Sequence, residues 1–188
     1  PAKQSYYVAP TAQVLGPVSI TFDGTTAQVS LPQRKFTAQK FTATPARAAG
    51  LQPETGIYWN PAQSGRGYTV EAVGETLTVT TFHYDERGEP TWHLAGGVMR
   101  NGAFTGGFQR YTGGQTLEGP YIVAGPAVVD GALAAAFADP CQATLWLPSV
   151  LPMSVRRFAF GSLPAGAECR APPGAHARTE AQGPAAAS

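Results

Sequence analysis

Residues 67–84 read GYTVEAVGETLTVTTFHY, two runs in which apolar and polar side chains alternate, joined by Gly74-Glu75. Alternation with a period of two is typical of a β-strand that buries one face, and Tyr68 and Val70 share the apolar face here. A glycine-containing pair between two such runs favours a tight turn. The stretch therefore predicts two adjacent antiparallel strands.

Similar strand signals continue outward from this pair over residues 56–161. A polar turn leads into TWHLAGG, Asn101-Gly102 opens GAFTGGFQRY, and QATLWL and SVRRFAF supply the last two strands. Asp130-Gly131 predicts a further hairpin that leads into ALAAAFA, which fits a strand or a single helical turn. A total of about eight short strands predicts an all-β domain, either an antiparallel calycin-like barrel or a sandwich.

The flanking segments divide the rest of the chain. Residues 1–16 lack periodicity and predict a flexible arm. Residues 17–55 predict an extension, with a hairpin built on a type I′ turn at Asp23-Gly24, a possible strand in RKFTAQKFTAT and a linker. Residues 162–188 are a low-complexity Pro/Ala/Gly tail that lacks the apolar surface to order itself, so we expect it to be flexible.

Charge and hydropathy exclude several classes of partner. The net charge is +1, charged residues make up 13% of the chain, and Lys and Arg are scattered, so we expect neither a nucleic-acid partner nor an anionic membrane surface. No segment approaches the ~18–20 apolar residues of a membrane span. The N-terminal residues lack an apolar core, so the sequence predicts no signal peptide.

Cys141 and Cys169 are the two cysteines of the chain. Their spacing is not that of a zinc site, and two thiols alone rarely hold that metal. A disulfide between them would close a loop of about 28 residues and stabilise the fold by roughly 3 kcal/mol. Two free thiols are the alternative. We favour the disulfide, which is typical of an exported protein in an oxidising compartment.

Residues 56–97 also resemble a known domain. The segments GIYWNPAQSGRGY and YDERGEPTW fit the pattern Gly-x-[Trp/Tyr]-Trp-Asn-Pro-x-x-Ser-Gly-x-Gly followed by Tyr-Asp-x-x-Gly-x-Pro-x-Trp. This pattern is similar to that of an uncharacterised β-domain of exported Gram-negative bacterial proteins, closely over residues 56–92 and more faintly to residue 160. The resemblance implies a β-fold and an extracellular or periplasmic location, and it implies no chemistry.

A second resemblance is to the first strand of avidin-like barrels, where Gly-x-Trp-x-Asn-x-x-x-Ser places the Asn and the Ser at the ligand pocket. Asn60 and Ser64 keep that four-residue spacing, whereas Trp59 lies one position late and Pro61 is foreign to the pattern. This resemblance implies a small-ligand pocket beside Asn60 and Ser64.

Aromatic residues near the predicted turns are candidates for stacking on a sugar ring or another planar ligand. They are Tyr58, Trp59 and Trp92. The alternative, that Trp59 and Trp92 plug the interior of the barrel, is slightly favoured. Trp146 lies in an apolar strand and is predicted to be a core residue.

Ser64 and Arg66 are candidate polar groups beside these aromatics. Ser64 lacks the Gly-x-Ser-x-Gly context of a nucleophile elbow, and we predict no catalytic residue. Arg66 can bind a carboxylate or a phosphate through two hydrogen bonds. A structural role is the favoured interpretation, in which Arg66 bonds turn carbonyls or pairs with Glu71.

His83 and His93 lie on neighbouring predicted strands and can face each other across the pair. With Asp85 or Glu71 they have the donor atoms of a zinc or copper site. Because a one-residue slip in register moves a side chain to the opposite face, hydrogen-bonded or surface histidines are the favoured interpretation. We predict no metal and no other cofactor.

The sequence as a whole predicts a non-catalytic exported binding or interaction module. Its partner would be a protein, a surface glycan or a small ligand, and the contact residues would be Tyr58, Trp59, Asn60, Ser64, Arg66 and Trp92. One alternative is a structural subunit of a surface filament or envelope complex, which self-assembles when VSITFDGTTAQVSLP adds a strand to a neighbour's sheet. A second alternative is a small hydrolase or glycosidase.

Overall fold

The computed structural model describes residues 11–40, 50–63 and 65–160, and within these ranges the chain forms eleven β-strands and no helix. The strands are β1 (Ser19–Asp23), β2 (Thr26–Ser30), β3 (Lys35–Gln39), β4 (Gly56–Trp59), β5 (Gly67–Val73), β6 (Thr76–Tyr84), β7 (Pro90–Arg100), β8 (Ala103–Arg110), β9 (Val128–Asp139), β10 (Gln142–Trp146) and β11 (Met153–Arg157). The predicted all-β class is confirmed. The predicted tail and most of the predicted arm and linker lie outside the described residues.

Strands β4 to β11 close into an eight-stranded antiparallel barrel. The neighbours follow the order β10-β11-β4-β5-β6-β7-β8-β9, and β9 pairs back onto β10. Of the two architectures that the sequence left open, the barrel is therefore the correct one. Closure leaves none of these eight strands with an unpaired edge.

The barrel interior is filled by the apolar members of the alternating strands. Tyr68 and Val70 of β5 and Leu77 and Val79 of β6 are at most 1% exposed, and all four lie on the predicted face. The core cluster consists of Tyr58, Tyr68, Val70, Leu77, Val79, Ala95, Met99, Phe104, Phe108, Leu133, Ala135, Phe137, Ala143, Leu145, Leu147, Met153 and Val155.

The two ends of the barrel differ in how their strands are connected. At the closed end, two-residue turns join the strands at Gly74-Glu75, Asn101-Gly102 and Pro140-Cys141. Asn101 and Gly102 both have positive φ, 51° and 75°, as a type I′ turn requires. At the open end the connections are longer, and they comprise residues 60–66, 85–89, 111–127 and 147–152.

The segment that precedes β4 crosses the closed end. Leu51 packs against the core cluster, and the backbone N–H of Glu54 donates to the carbonyl oxygen of Pro140 at 2.7 Å. Tyr58 is fully buried, and its hydroxyl oxygen lies 2.8 Å from the carbonyl oxygen of Glu54 and 2.7 Å from that of Pro140. Burial raises the pKa of Tyr58, which keeps this hydroxyl protonated and able to donate.

A separate three-stranded antiparallel sheet precedes the barrel, in the order β1-β2-β3. The predicted hairpin is confirmed, and the possible strand in RKFTAQKFTAT is present as β3. The turn is Gly24-Thr25 rather than Asp23-Gly24, because Asp23 pairs with Thr26. The predicted type I′ turn is wrong: Gly24 has positive φ, 57°, and Thr25 does not, which is the pattern of a type II′ turn.

The turn between β2 and β3 contacts the longest connection of the barrel. The backbone N–H of Gln33 donates to Oε1 of Glu118 at 2.9 Å, and Nη1 of Arg34 donates to the carbonyl oxygen of Gly119 at 2.6 Å. The three-stranded sheet is therefore tied to the open end.

Two predictions inside the barrel domain are wrong. Asp130-Gly131 is not a hairpin turn, because β9 runs without interruption from Val128 to Asp139 and also contains ALAAAFA as a strand. Trp146 is not a core residue. Its neighbour Leu145 points into the barrel, which leaves Trp146 on the outer face with 42% of its surface exposed.

Close packing of an aromatic ring beside a glycine offers a test of the barrel interior. A Cβ added at Gly106 would lie 2.8 Å from Cζ of Phe104 and 3.0 Å from the carbonyl oxygen of Gly96, whereas one added at Gly107 would meet nothing closer than 3.7 Å. We expect Gly106→Ala to lower the free energy of unfolding by about 1–3 kcal/mol, the usual cost of overpacking. Urea unfolding curves measure this change.

Gly107→Ala is the matched control. Alanine restricts the unfolded chain, so this variant should leave the free energy of unfolding unchanged or raise it by up to about 1 kcal/mol. Equal destabilisation by the two substitutions would contradict the packing of Phe104 against Gly106.

Candidate functional site

A β-bulge in β9 brings an acidic side chain to the open end of the barrel. The register of β9 with β8 shifts here, so that Asp130 and Gly131 together stand opposite Phe108 alone. Gly131 has a φ of 126°, a conformation that favours glycine. Bulges redirect side chains and are frequent beside functional sites. In this barrel the bulge directs the carboxylate of Asp130 toward His93.

Four side chains form a continuous chain of contacts at this end, which we call the His–Asp network: His83, His93, Asp130 and Arg110. Nε2 of His83 lies 2.9 Å from Nδ1 of His93, and Nε2 of His93 lies 2.9 Å from Oδ2 of Asp130. Nε of Arg110 donates to the same oxygen at 2.9 Å. The two histidines therefore meet across β6 and β7, as the sequence allowed.

An aromatic ring holds the central histidine in place. His93 is 6% exposed, and its ring stacks on Phe108 with a centroid distance of 4.1 Å and an interplanar angle of 2°. The ring of His83 lies 5.0 Å from that of His93 at 27°. The orientation of His93 is thus set by packing as well as by its two polar contacts.

The contacts of the network determine how many protons the histidine pair holds. Nδ1 of His83 lies 3.1 Å from the carbonyl oxygen of Tyr84, and Nε2 of His93 faces the Asp130 carboxylate, so each of these nitrogens carries a proton. The contact between the two rings needs a third proton. Since two neutral imidazoles hold only two, all three contacts form together when one ring is an imidazolium.

Burial and neighbouring charges favour one arrangement of these protons. Burial lowers the pKa of His83, and the nearby charges of His93 and Arg66 lower it further, which favours the neutral form of His83. Hydrogen bonds from Arg110 and His93 lower the pKa of Asp130, so its carboxylate stays ionised.

An open groove of about 400 Å³, the Trp92 groove, lies beside the network. Its lining consists of His83, Asp85, Pro90, Thr91, Trp92, His93, Arg110, Tyr111 and Thr112. One wall is a stacked aromatic pair, because the rings of Trp92 and Tyr111 are 5.8 Å apart at an interplanar angle of 16°. Trp92 is 42% exposed, so solvent reaches its ring, and the interpretation that it plugs the barrel interior is wrong.

A smaller cavity of about 90 Å³, the mouth cavity, shares His83 with the groove. Arg66, Thr81 and Phe108 also line it. Arg66 and Trp92 are thus the two predicted contact residues that lie at cavities of the open end. The interpretation that Arg66 pairs with Glu71 or bonds turn carbonyls is wrong, since Arg66 has no ion pair or hydrogen bond of that kind within the described residues.

The other predicted contact residues lie elsewhere. Tyr58 is fully buried at the core. Trp59 does not plug the barrel: it is on the outer side of β4, where its ring meets Phe158 edge-on at 5.3 Å and Arg156 lies over it at 5.9 Å. Oδ1 of Asn60 accepts a hydrogen bond from a backbone N–H of its own turn at 2.9 Å.

Two predicted residues, Ser64 and Cys169, lie outside the described part of the chain. Cys141 is 3% exposed in the turn between β9 and β10. The pairing of Cys141 with Cys169 and the role of Ser64 stay predictions.

Sequence reasoning missed four residues of the site. Asp130 was assigned to a hairpin turn. The Asp-Gly pair is common in both turns and bulges, and only the pairing with the neighbouring strand shows which of the two is formed. Phe108, Arg110 and Tyr111 come from the end of β8 and the residue after it, and the register of the β7–β8 hairpin places them beside β7. The facing histidines on β6 and β7, together with Trp92 and Arg66, were the signals that pointed to this end of the barrel.

The chemistry available to the network is hydrogen bonding and proton exchange. Within the described ranges, neither histidine ring is hydrogen-bonded to a Ser, Thr or Cys side chain that would act as a nucleophile. In the part of the chain that the structure describes, no group of three or more His, Cys, Asp or Glu side chains is arranged to hold a metal ion. The acid beside the histidines is Asp130, rather than the predicted Asp85 or Glu71.

Comparison with protein-family models, curated proteins and solved structures found no match to this chain. The resemblances of residues 56–97 therefore rest on their sequence motifs. No helix among the described residues is long and apolar enough to cross a membrane.

The lowered pKa of His83 predicts a loss of stability in mild acid. In the unfolded chain His83 takes up a proton near pH 6.5, whereas folded His83 resists protonation. The contribution of His83 to the free energy of unfolding is therefore complete above about pH 6.5, and it is lost as the pH drops through the folded-state pKa. A proton on both rings would also break the contact between His83 and His93. We expect the free energy of unfolding, measured by urea titration, to decrease from pH 7.5 to pH 5.

His83→Gln is the matched variant, because glutamine keeps polar atoms at this position and does not titrate. Its free energy of unfolding should depend less on pH over the same interval. Asp130 does not confuse the measurement, since its pKa is lowered from 3.8 and its contribution is lost only in stronger acid. Identical pH dependence in the parent and the variant would refute the assignment to His83.

Proposed function

We propose that the chain is a non-catalytic binding module whose Trp92 groove takes a sugar ring of a surface glycan. The observation that carries the proposal is the combination, in one groove of about 400 Å³, of an exposed stacked aromatic pair and charged hydrogen-bonding groups. A sugar ring presents an apolar face that packs on an aromatic ring and hydroxyl groups that bond to charged side chains.

The aromatic wall is preorganised for such a ligand. Trp92 stacks on Tyr111, and the Tyr111 hydroxyl donates to Oε1 of Gln109 at 3.0 Å. A ring that is already held in its binding orientation loses less conformational entropy when the ligand arrives. This supports Trp92 as the stacking platform.

Polar groups around the platform keep free positions for ligand hydroxyls. Arg110 lines the groove and contacts Asp130 through Nε, and among the described residues its terminal nitrogens make no side-chain hydrogen bond. Asp85 accepts two backbone N–H groups of its turn through Oδ1, from Arg87 and Glu89, while Oδ2 accepts none of these bonds. Hydrogen bonding within the turn lowers the pKa of Asp85, so it acts as an acceptor at neutral pH.

An exported location and a Cys141–Cys169 disulfide belong to the same proposal. Surface glycans are met outside the cytoplasm, where disulfides persist. The pairing predicts that a thiol-blocking reagent modifies neither cysteine of the native purified protein until a reductant is added, and modification of both without reductant would exclude the disulfide.

Trp92→Ala tests the glycan proposal directly. Removal of the platform should weaken binding to an array of bacterial surface polysaccharides by about tenfold or more, since aromatic stacking contributes about 1 kcal/mol beyond burial and 1.4 kcal/mol is a factor of ten. Trp146→Ala is the matched control, because Trp146 has the same 42% exposure on the outside of β10. It should bind as the parent does.

Equal loss of binding in the two variants would contradict the assignment of the groove. If no polysaccharide binds and the protein elutes as an oligomer that requires residues 17–40, strand addition is the better function. An observation favours that second candidate: β1 and β3 are the edges of their sheet, and Ile20 and Phe22 of β1 are 51% and 78% exposed.

A further inference from the structure

The mouth cavity contains the unsatisfied polar atoms of the barrel. Among the described residues, the buried side-chain nitrogen and oxygen atoms without a hydrogen-bond partner are Nη1 of Arg66 and Oγ1 of Thr81. Both residues line this cavity of about 90 Å³. Buried polar groups in proteins are nearly always paired, so these two donors mark a place in the cavity where an acceptor oxygen can bond.

The charge of the cavity indicates the kind of ligand atom. Arg66 has no ion pair among the described residues, and no carboxylate side chain lines the cavity. A guanidinium can only donate hydrogen bonds, and a threonine hydroxyl can donate one. Arg66 is partly buried and its Nη1 atom is shielded from solvent, and burial of a cation is costly unless an anion compensates it. The complementary group is therefore an anionic oxygen acceptor.

The remaining walls of the cavity are largely apolar. Phe108, Leu147 and Val150 line it together with a proline. His83 adds a wall and no free donor or acceptor, because one of its ring nitrogens contacts the Tyr84 carbonyl oxygen and the other contacts His93. A ligand with an anionic head and a short apolar body matches these surfaces better than an inorganic anion does.

We propose that the mouth cavity binds a small aliphatic monocarboxylate, with its carboxylate on Arg66 and Thr81 and its alkyl chain against Phe108, Leu147 and Val150. A planar guanidinium matches the two oxygens of a carboxylate, and the hydroxyl of Thr81 bonds one of them. The cavity volume is that of a molecule a few times larger than water. This site is independent of the Trp92 groove and does not rest on the glycan proposal.

Titration of the full chain with acetate, propionate and butyrate, followed by calorimetry at pH 7.5 in low chloride, tests the site. The carboxylates should bind at one site with affinity rising from acetate to butyrate, and methyl butyrate, which lacks the charge, should not bind. Arg66→Gln should weaken butyrate binding at least tenfold and Thr81→Val several-fold. Arg87→Gln, at an exposed turn residue, is the matched control and should bind as the parent does.

Stability of the ligand-free variants distinguishes a ligand site from a structural role. Removal of an unpaired buried donor relieves a desolvation cost, so Thr81→Val should unfold at the same temperature as the parent or at a higher one. Arg66→Gln also loses the contact of Arg66 with the Tyr68 hydroxyl, and it should unfold close to the temperature of the parent. Saturating butyrate should raise the unfolding temperature of the parent and leave that of Arg66→Gln unchanged. A large drop in the unfolding temperature of both ligand-free variants would show that these groups hold the fold together, and would overturn the proposal.

Two further ligands separate the possible sources of the anion. Sulfate that binds as tightly as butyrate would overturn the monocarboxylate class, because the apolar walls would then contribute nothing. Glucuronate that binds more tightly than butyrate, and loses this advantage in Trp92→Ala, would overturn the independence of the cavity from the groove. Absence of binding by any carboxylate to the parent protein would reject the site altogether.

Discussion

Closure of the barrel depends on the seam between β11 and β4, which is the shortest of its strand pairings. Its register consists of Arg156 with Trp59 and Arg157 with Tyr58. Tyr58 reinforces the seam from inside, because its buried hydroxyl sits between two backbone carbonyl oxygens at the closed end. Without this seam the sheet would have two open edges, and the core residues of β10 and β11 would lose the strands that cover them.

A closed and well-filled barrel leaves little freedom for polar groups inside it. The open end obtains its polar site through a local departure from regular pairing, the bulge at Asp130 and Gly131. A Cβ at Gly131 would lie 2.7 Å from Cγ of Pro148, so the loop after β10 packs directly on the bulge. The position of the Asp130 carboxylate is thereby tied to the shape of the surrounding loops, and through His93 it is tied to β7.

The alternation of apolar and polar residues correctly predicted the buried face of the strands that have one apolar and one polar face. Tyr68, Val70, Leu77 and Val79 lie on the buried face that alternation indicates, because a threonine separates the two members of each pair, Thr69 in β5 and Thr78 in β6. Trp146 was placed in the core because of its apolar side chain, although alternation in β10 puts it on the face of Gln142 and Thr144, opposite the buried Ala143 and Leu145. Alternation was the better guide there than the hydrophobicity of a single residue.

The site was predictable to a smaller extent than the fold. The facing of His83 and His93 follows from a meander with a short turn, so it was foreseeable up to the register. The acidic partner of these histidines was not foreseeable, because Asp130 lies 37 residues from His93 along the chain. It reaches His93 through the pairing of β9 with β8 and the bulge in β9. Nη1 of Arg66 is unpaired because no acceptor of the described residues packs against it, and no sequence pattern predicts this.

The two ends of the barrel differ in how well they tolerate changes of sequence and of loop length. Tight turns and the crossing segment hold the closed end, where almost any insertion would break a hydrogen bond or a packed contact. The four connections of the open end carry or border the groove and the cavity, and they lie beyond the last strand pairs. Loop length and composition can therefore diverge at the open end while the closed end preserves the fold, so the groove and the cavity can change shape with little cost in stability.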